Sequence, residues 1–175
     1  DANNNVDNGA HQGQPGGAIT AGGSLLLKAQ RINNAWGTFS AGTTLTSTTT
    51  QDTDNRHGKW IANQALTLTA SSINNAYGLI QSAQEHIWLK TLLGNMNNSD
   101  GDINAAQTIT LHSLGLNNAS GKISGYNLLL DSHALALNNR AGFIQSRGTL
   151  NITSGALDNS GGKIFGSGQL DITSA

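Results

Sequence analysis

The 175 residues carry nine basic and ten acidic side chains, a formal charge of −1, so no field exists to gather nucleic acid or anionic lipid. Hydrophobic residues at 37% and 22 glycines describe a globular chain with core material for one domain, while a charged share of only 11% leaves Asn, Ser and Thr to solvate the surface. The absence of cysteine removes disulfides, thiolate metal sites and cysteine nucleophiles, and no apolar run approaches the roughly 20 residues of a membrane-spanning helix.

Residues 1–16 are polar and rich in Gly and Asn, and predict an irregular leader or partial cap. They have neither the basic start nor the apolar stretch of a signal peptide, and without an initiator Met the chain reads as a piece of something longer. From residue 17 to 175 a repeat takes over. Gly17, followed by Ile19, opens it, and seven full copies follow: INNAWGTFS from Ile32, TDNRHGKWI from Thr53, INNAYGLIQ from Ile73, MNNSDGDIN from Met96, LNNASGKIS from Leu116, LNNRAGFIQ from Leu137 and LDNSGGKIF from Leu157. Their glycines are Gly37, Gly58, Gly78, Gly101, Gly121, Gly142 and Gly162, spaced by 21, 20, 23, 20, 21 and 20 residues. Three residues before each stands an asparagine: Asn34, Asn55, Asn75, Asn98, Asn118, Asn139 and Asn159. Two after it comes a large apolar residue: Phe39, Trp60, Ile80, Ile103, Ile123, Ile144 and Ile164.

Between these motifs run short alternating segments, such as Leu25 with Leu27, Leu66 with Leu68 and Leu150 with Ile152, whose period of two predicts strands with one buried face. About 20 residues leave no room for a crossover helix, and a unit this small buries its apolar face only by stacking on the next copy. Strands then pair with their equivalents one turn on. With paired strands about 4.8 Å apart, eight turns make a rod roughly 38 Å long. The recurrent Asn suits an inward ladder in which each amide bonds the one above and the one below, and the Gly suits a turn with positive φ. Among solenoids, the leucine-rich pattern fails because Ser71 stands where Leu66 and Leu68 would demand Asn, and neither the calcium nonapeptide nor a six-residue period occurs. The expected fold is all-β, a right-handed parallel β-helix of about eight turns of 20–23 residues. The longer IWLKTLLGNM turn is expected to fold its extra leucines over the core, the alternative being a bulge that exposes apolar surface.

The pattern, roughly G-x-L-x-L-x-A-x-x-I-N-N-x-x-G-x-I, resembles the repeats of filamentous haemagglutinin and related large exoproteins of Gram-negative bacteria, including the stalks of contact-dependent growth-inhibition toxins. The resemblance covers residues 17–175, with departures at Thr53, in TSTTTQDT from Thr46, and around Gly94. It implies a secreted, cell-surface filament exported by an outer-membrane partner transporter through an N-terminal export domain that is not found in this sequence. It also implies a receptor or glycan on a host or neighbouring cell as partner, with no insertion of this segment into a membrane.

Catalysis is not expected, nor is any cofactor or metal. Asp52 with Asp54 and Asp100 with Asp102 have the paired-carboxylate look of glycoside cleavage, but both lie at repeat turns where Asx side chains bond the local backbone. The basic cluster a polysaccharide lyase would need is absent, and His11, His57, His86, His112 and His133 fall in different repeat columns without a close pair. Recognition has one candidate column. Trp36, His57 and Tyr77 immediately precede the glycine on three consecutive turns and are expected to stack, either as faces for sugar rings or a receptor or, as the simpler and preferred reading, only packing against one another at the turn. Trp88, between the inward Ile87 and Leu89, is expected to face out. The alternative to a structural and adhesive filament is therefore a carbohydrate-binding or polysaccharide-cleaving β-helix.

Overall fold

The computed structural model describes residues 4–11, 14–133 and 135–174, so parts of the polar leader, residues 1–3 and 12–13, lie outside the described residues. Among the described residues there is no helix; the chain winds through three parallel sheets of eight strands each. One turn shows the plan. Leu25–Ala29 lies in one sheet, Ile32–Asn33 in a second, and Thr38–Ala41 in a third, before Leu45–Thr49 returns to the first. We call these the long, short and middle sheets. In each, strands follow one another in sequence order without exception, which makes the molecule a parallel β-solenoid of about eight turns.

Register is constant because each column has one environment. Phe39 pairs with Trp60, Trp60 with Ile80, Ile80 with Ile103, and the column continues through Ile123 and Ile144 to Ile164. All but the last are fully buried, each contributing roughly 1.5–3 kcal/mol of transfer free energy. Phe39 and Trp60 meet edge to face with centroids 4.7 Å apart. A one-residue slip in any strand would turn such a column to solvent, so burial itself enforces the register.

The departures in the repeat stay inside this plan. Thr53 occupies the core position that Ile32 and Ile73 fill on neighbouring turns, and its Oγ1 lies 3.1 Å from Thr49 Oγ1, also buried. Thr49 in turn donates to the Gln51 carbonyl, so two inward hydroxyls satisfy each other and the local backbone. At the longest turn the structure corrects the sequence expectation. Leu92 and Leu93 do not cover the core but are 46% and 77% exposed. The core columns are already filled there by Leu89, Thr91 and Met96, leaving the inserted residues nowhere inward to go. At the N-terminal end, Val6–Asp7 pairs with Ile32–Asn33, so the coil geometry reaches back to residues before Gly17.

Candidate functional site

The corner between the short and middle sheets carries the recurrent motif. The seven asparagines form one column: each Nδ2 donates to the Oδ1 of the next at 2.6–2.8 Å, from Asn34 through Asn55, Asn75, Asn98, Asn118 and Asn139 to Asn159. Asn8 adds a rung by donating to Asn34 at 2.7 Å. Each amide in the series from Asn34 to Asn139 also donates to the carbonyl of its own turn's glycine at 3.2–3.4 Å. Asn34, Asn55, Asn75, Asn98, Asn118 and Asn139 have no exposed surface, so these bonds answer the polarity of groups that would otherwise be orphaned.

The role expected of the glycine needs correction. Positive φ falls on the residue before it: Trp36, His57, Tyr77, Asp100, Ser120, Ala141 and Gly161 all lie at φ 52–65°. The glycine is required for a different reason. A Cβ on Gly121 would collide with the backbone oxygen of Asn98 on the preceding turn and would stand 2.7 Å from Asn118 Oδ1. Gly58, Gly78, Gly101, Gly142 and Gly162 face the same two obstacles, so the residue is selected by close approach of successive turns. The glycine N–H closes the turn onto the asparagine carbonyl, as Gly37 does to Asn34 at 2.9 Å, and the left-handed residue sits third in that turn.

A second ladder, which residue spacing did not suggest, runs outside the first. Asn33, Asp54, Asn74, Asn97, Asn117, Asn138 and Asp158 each accept the backbone N–H two residues on, at 2.9–3.2 Å. Where both neighbours are amides they also bond each other: Asn97 donates to Asn74, Asn117 to Asn97 and Asn138 to Asn117, at 3.0–3.2 Å. Asn33 donates likewise to Asp7 at 2.9 Å. These donors point toward the N-terminus, opposite to the inner ladder. Asp54 and Asp158 bring no N–H to the ladder, and an arginine meets each: Arg56 at 2.8 Å and Arg140 at 3.2 Å. The signal in the sequence is the strict Asn or Asp composition of this column, the residue before each inner asparagine.

Above this corner stand the aromatic candidates. Trp36 and His57 stack with centroids 4.0 Å apart and planes 10° from parallel, and His57 and Tyr77 at 4.9 Å and 4°. Trp36 and Tyr77 are each 59% exposed. Trp88 faces outward as well, but from the long sheet, where its neighbour is His112 at 5.8 Å; it does not join the row. Beside Trp36 a groove of about 840 Å³ crosses successive turns of the short sheet. Its walls include Asp52 and Asp54, each with a basic partner: Arg31 lies 3.7 Å from Asp52, and Arg56 grips Asp54 through Nε and a terminal nitrogen. The hydrogen bond and charge of Asp54 push the Arg56 guanidinium above its ordinary value.

The other acidic pair is dispersed by the fold. Asp100 takes a left-handed turn position, whereas Asp102 lies in the middle sheet between Leu79 and Lys122, with Oδ1 buried and without a partner. Burial raises its pKa, which the charge of Lys122 opposes. Two of the histidines converge on one carboxylate. His112 and His133 both reach Asp131, at 3.3 and 3.2 Å, because the long-sheet register sets His112 beside Asp131 and the turn after Asp131 folds back. Partial burial works against ionisation of Asp131, yet the His133 backbone N–H, the His112 hydrogen bond and both rings' charge outweigh it and hold the carboxyl below its ordinary value. Among the described residues no group of three His, Cys, Asp or Glu side chains is placed to hold a metal ion.

Sequence comparison matches the family described as Haemagglutinin repeat to residues 1–61, 47–100 and 95–175. Over 62 residues, 35% of this chain, the chain is 44% identical to a protein named tRNA nuclease CdiA from Escherichia coli O6:K15:H31 (strain 536 / UPEC), and 42% identical to Toxin CdiA of Escherichia coli. The matched stretch is 2% of the length of either relative. No solved structure matches the chain.

Proposed function

Because the chain belongs to the haemagglutinin repeat family, we propose that it is a structural and adhesive segment of a large secreted exoprotein, a stiff length of filament that holds other parts away from a bacterial surface. One observation carries the reading: three parallel sheets keep register from end to end around a core filled by side chains, so length is added turn by turn without a joint. A rod of this kind transmits position well and offers chemistry little. In the groove that comes nearest to an active site the carboxylates of Asp52 and Asp54 are engaged by arginines, and we assign the segment no catalytic step. Its partners are an outer-membrane transporter during export and a receptor or glycan on a host or neighbouring cell.

Antibody raised against the folded chain tests the placement. Labelling of intact, unpermeabilised cells or of culture supernatant is expected, and signal confined to the cytoplasmic fraction would refute it. Release of reducing or unsaturated ends from polysaccharides incubated with the chain would refute the non-catalytic assignment.

A further inference from the structure

The row of Trp36, His57 and Tyr77 is not demanded by the turn it occupies. Later turns place Asp100, Ser120, Ala141 and Gly161 at the same position with φ of the same sign. Left-handed backbone is least suited to bulky side chains, and strained residues of this kind concentrate where a ligand is held. Here three consecutive turns carry rings, stacked face to face and left open to solvent at both Trp36 and Tyr77.

The groove beside Trp36 opens where the outer ladder breaks. Asp54 has no N–H to pass on, and among the described residues no side-chain hydrogen bond joins it to Asn33 or Asn74. Asn33 Oδ1 and Asn74 Nδ2 thus line the groove with acceptor and donor capacity that other turns spend on each other, Asn33 Nδ2 being held by Asp7. Its volume of about 840 Å³ falls in the range of small-molecule sites.

We propose that Trp36 and this groove bind a neutral oligosaccharide. A pyranose joins an apolar C–H face, which sheds water against an aromatic ring, to a rim of hydroxyls that must be hydrogen-bonded once desolvated. Trp36 offers the ring; Asn33 Oδ1, Asn74 Nδ2 and the acceptor oxygens of Asp52 offer the rim. A purely apolar ligand would strand these polar groups. An acidic sugar would meet three carboxylates, Asp7, Asp52 and Asp54, against two guanidinium groups, of which Arg56 is held by Asp54 at 2.8 Å and Arg31 lies 3.7 Å from Asp52. This deepens the adhesive reading above, on which it rests, by naming its ligand class.

The test is a nitrogen-15 NMR titration of the whole chain with lactose, N-acetyllactosamine and cellotriose, against sialyllactose as the acidic comparison. At least one neutral sugar should shift the Trp36 indole N–H and the Asn33 side-chain amide while leaving Trp60 and Trp88 in place. W36A, with unchanged circular dichroism, should bind at least about tenfold more weakly. D54N frees the Arg56 guanidinium while keeping the ring, and should bind sialyllactose more tightly than the wild type does. Silence at Trp36 with all three neutral sugars, a response to sialyllactose alone in the wild type, shifts centred on Trp88, or undiminished binding in W36A would each overturn the proposal. Cell-surface labelling by the antibody is untouched by those results, so failure here is separable from failure of the filament reading.

Discussion

Replacing Asn118 with Leu removes one rung from the middle of the buried ladder and isolates what the rung is worth. Asn118 accepts from Asn98 at 2.8 Å, donates to Asn139 at 2.7 Å, and donates to the Gly121 carbonyl at 3.2 Å. The three losses are unequal. Asn98 Nδ2 keeps the Gly101 and Lys122 carbonyls, and the Gly121 carbonyl still accepts from Phe143 N–H at 2.8 Å. Asn139 Oδ1 loses the amide that donates to it and is left orphaned in a side chain with no exposed surface. That orphan costs about 1–3 kcal/mol and the weakened Asn98 about 1 kcal/mol more, so Asn118→Leu should destabilise by about 2–4 kcal/mol. Asn159→Leu is the control, since its loss leaves Asn139 Nδ2 with the Gly142 and Lys163 carbonyls and strands no buried oxygen; it should cost about 1 kcal/mol. Asn118→Asp should be worse than Leu at neutral pH, because a buried carboxylate would face Asn139 Oδ1, and should recover as it protonates. Urea unfolding followed by far-ultraviolet circular dichroism measures all three, with hydrogen exchange to detect turns that open separately. If Asn118→Leu costs no more than Asn159→Leu, or lies within about 0.5 kcal/mol of wild type, the ladder is not what holds the corners together.

Gly121→Ala should destabilise by at least about 2 kcal/mol by wedging successive turns apart, whereas Gly22→Ala, whose Cβ meets nothing within 4 Å, should be near neutral; thermal melts of the pair decide it. Ala141→Gly should raise the melting temperature, contrary to the usual effect of glycine, because relief of left-handed strain exceeds the entropy lost by about 1 kcal/mol or less; a lower melting temperature would refute this. Asp102→Asn should stabilise the chain at neutral pH. The folded pKa of Asp102 is raised, so its carboxyl favours the fold below the unfolded value and that contribution is lost as pH rises through the folded one; the advantage of Asn should therefore shrink on acidification. Asp131 has the opposite sign. Its lowered pKa contributes stability above the unfolded value that disappears as pH falls through the folded one, so wild type and Asp131→Asn should converge in stability at low pH.

The solenoid was legible because its information is columnar. Asn34 is recognised less by its neighbours than by Asn55, Asn75 and Asn98 recurring at the same offset from a glycine, and the stacked environment that imposes this repetition is the fold itself. Pairing across columns was less legible. That Asp131 gathers His112 and His133 depends on which outward residue of one strand lands beside which on the next, and motif alignment did not follow the long-sheet strands far enough to see it. The glycine was misread for a related reason. Sequence identifies a position where Cβ is not tolerated but not whether φ or a neighbouring turn forbids it, and here the obstacle is the asparagine carbonyl of the turn before.

The two amide columns also bear on how a rod with so little charge is stabilised. Aligned amide dipoles accumulate along an axis as peptide dipoles do in a helix, and a long inner ladder alone would leave partial charges of opposite sign at its ends. The outer ladder runs the other way: Asn98 donates toward Asn118, whereas Asn117 donates back toward Asn97. Neighbouring columns of opposed polarity attract side by side, and their end charges offset. Substituting Asn117 should therefore weaken more than its own three bonds. Asn97 Oδ1, Asn138 Nδ2 and the Ala119 N–H would each lose a partner, and the inner amide of Asn118 would lose its antiparallel neighbour. A double-mutant cycle between Asn117→Ala and Asn118→Leu measures this directly. Coupling of about 0.5 kcal/mol or more is expected for the two columns, and strict additivity would mean that they act independently.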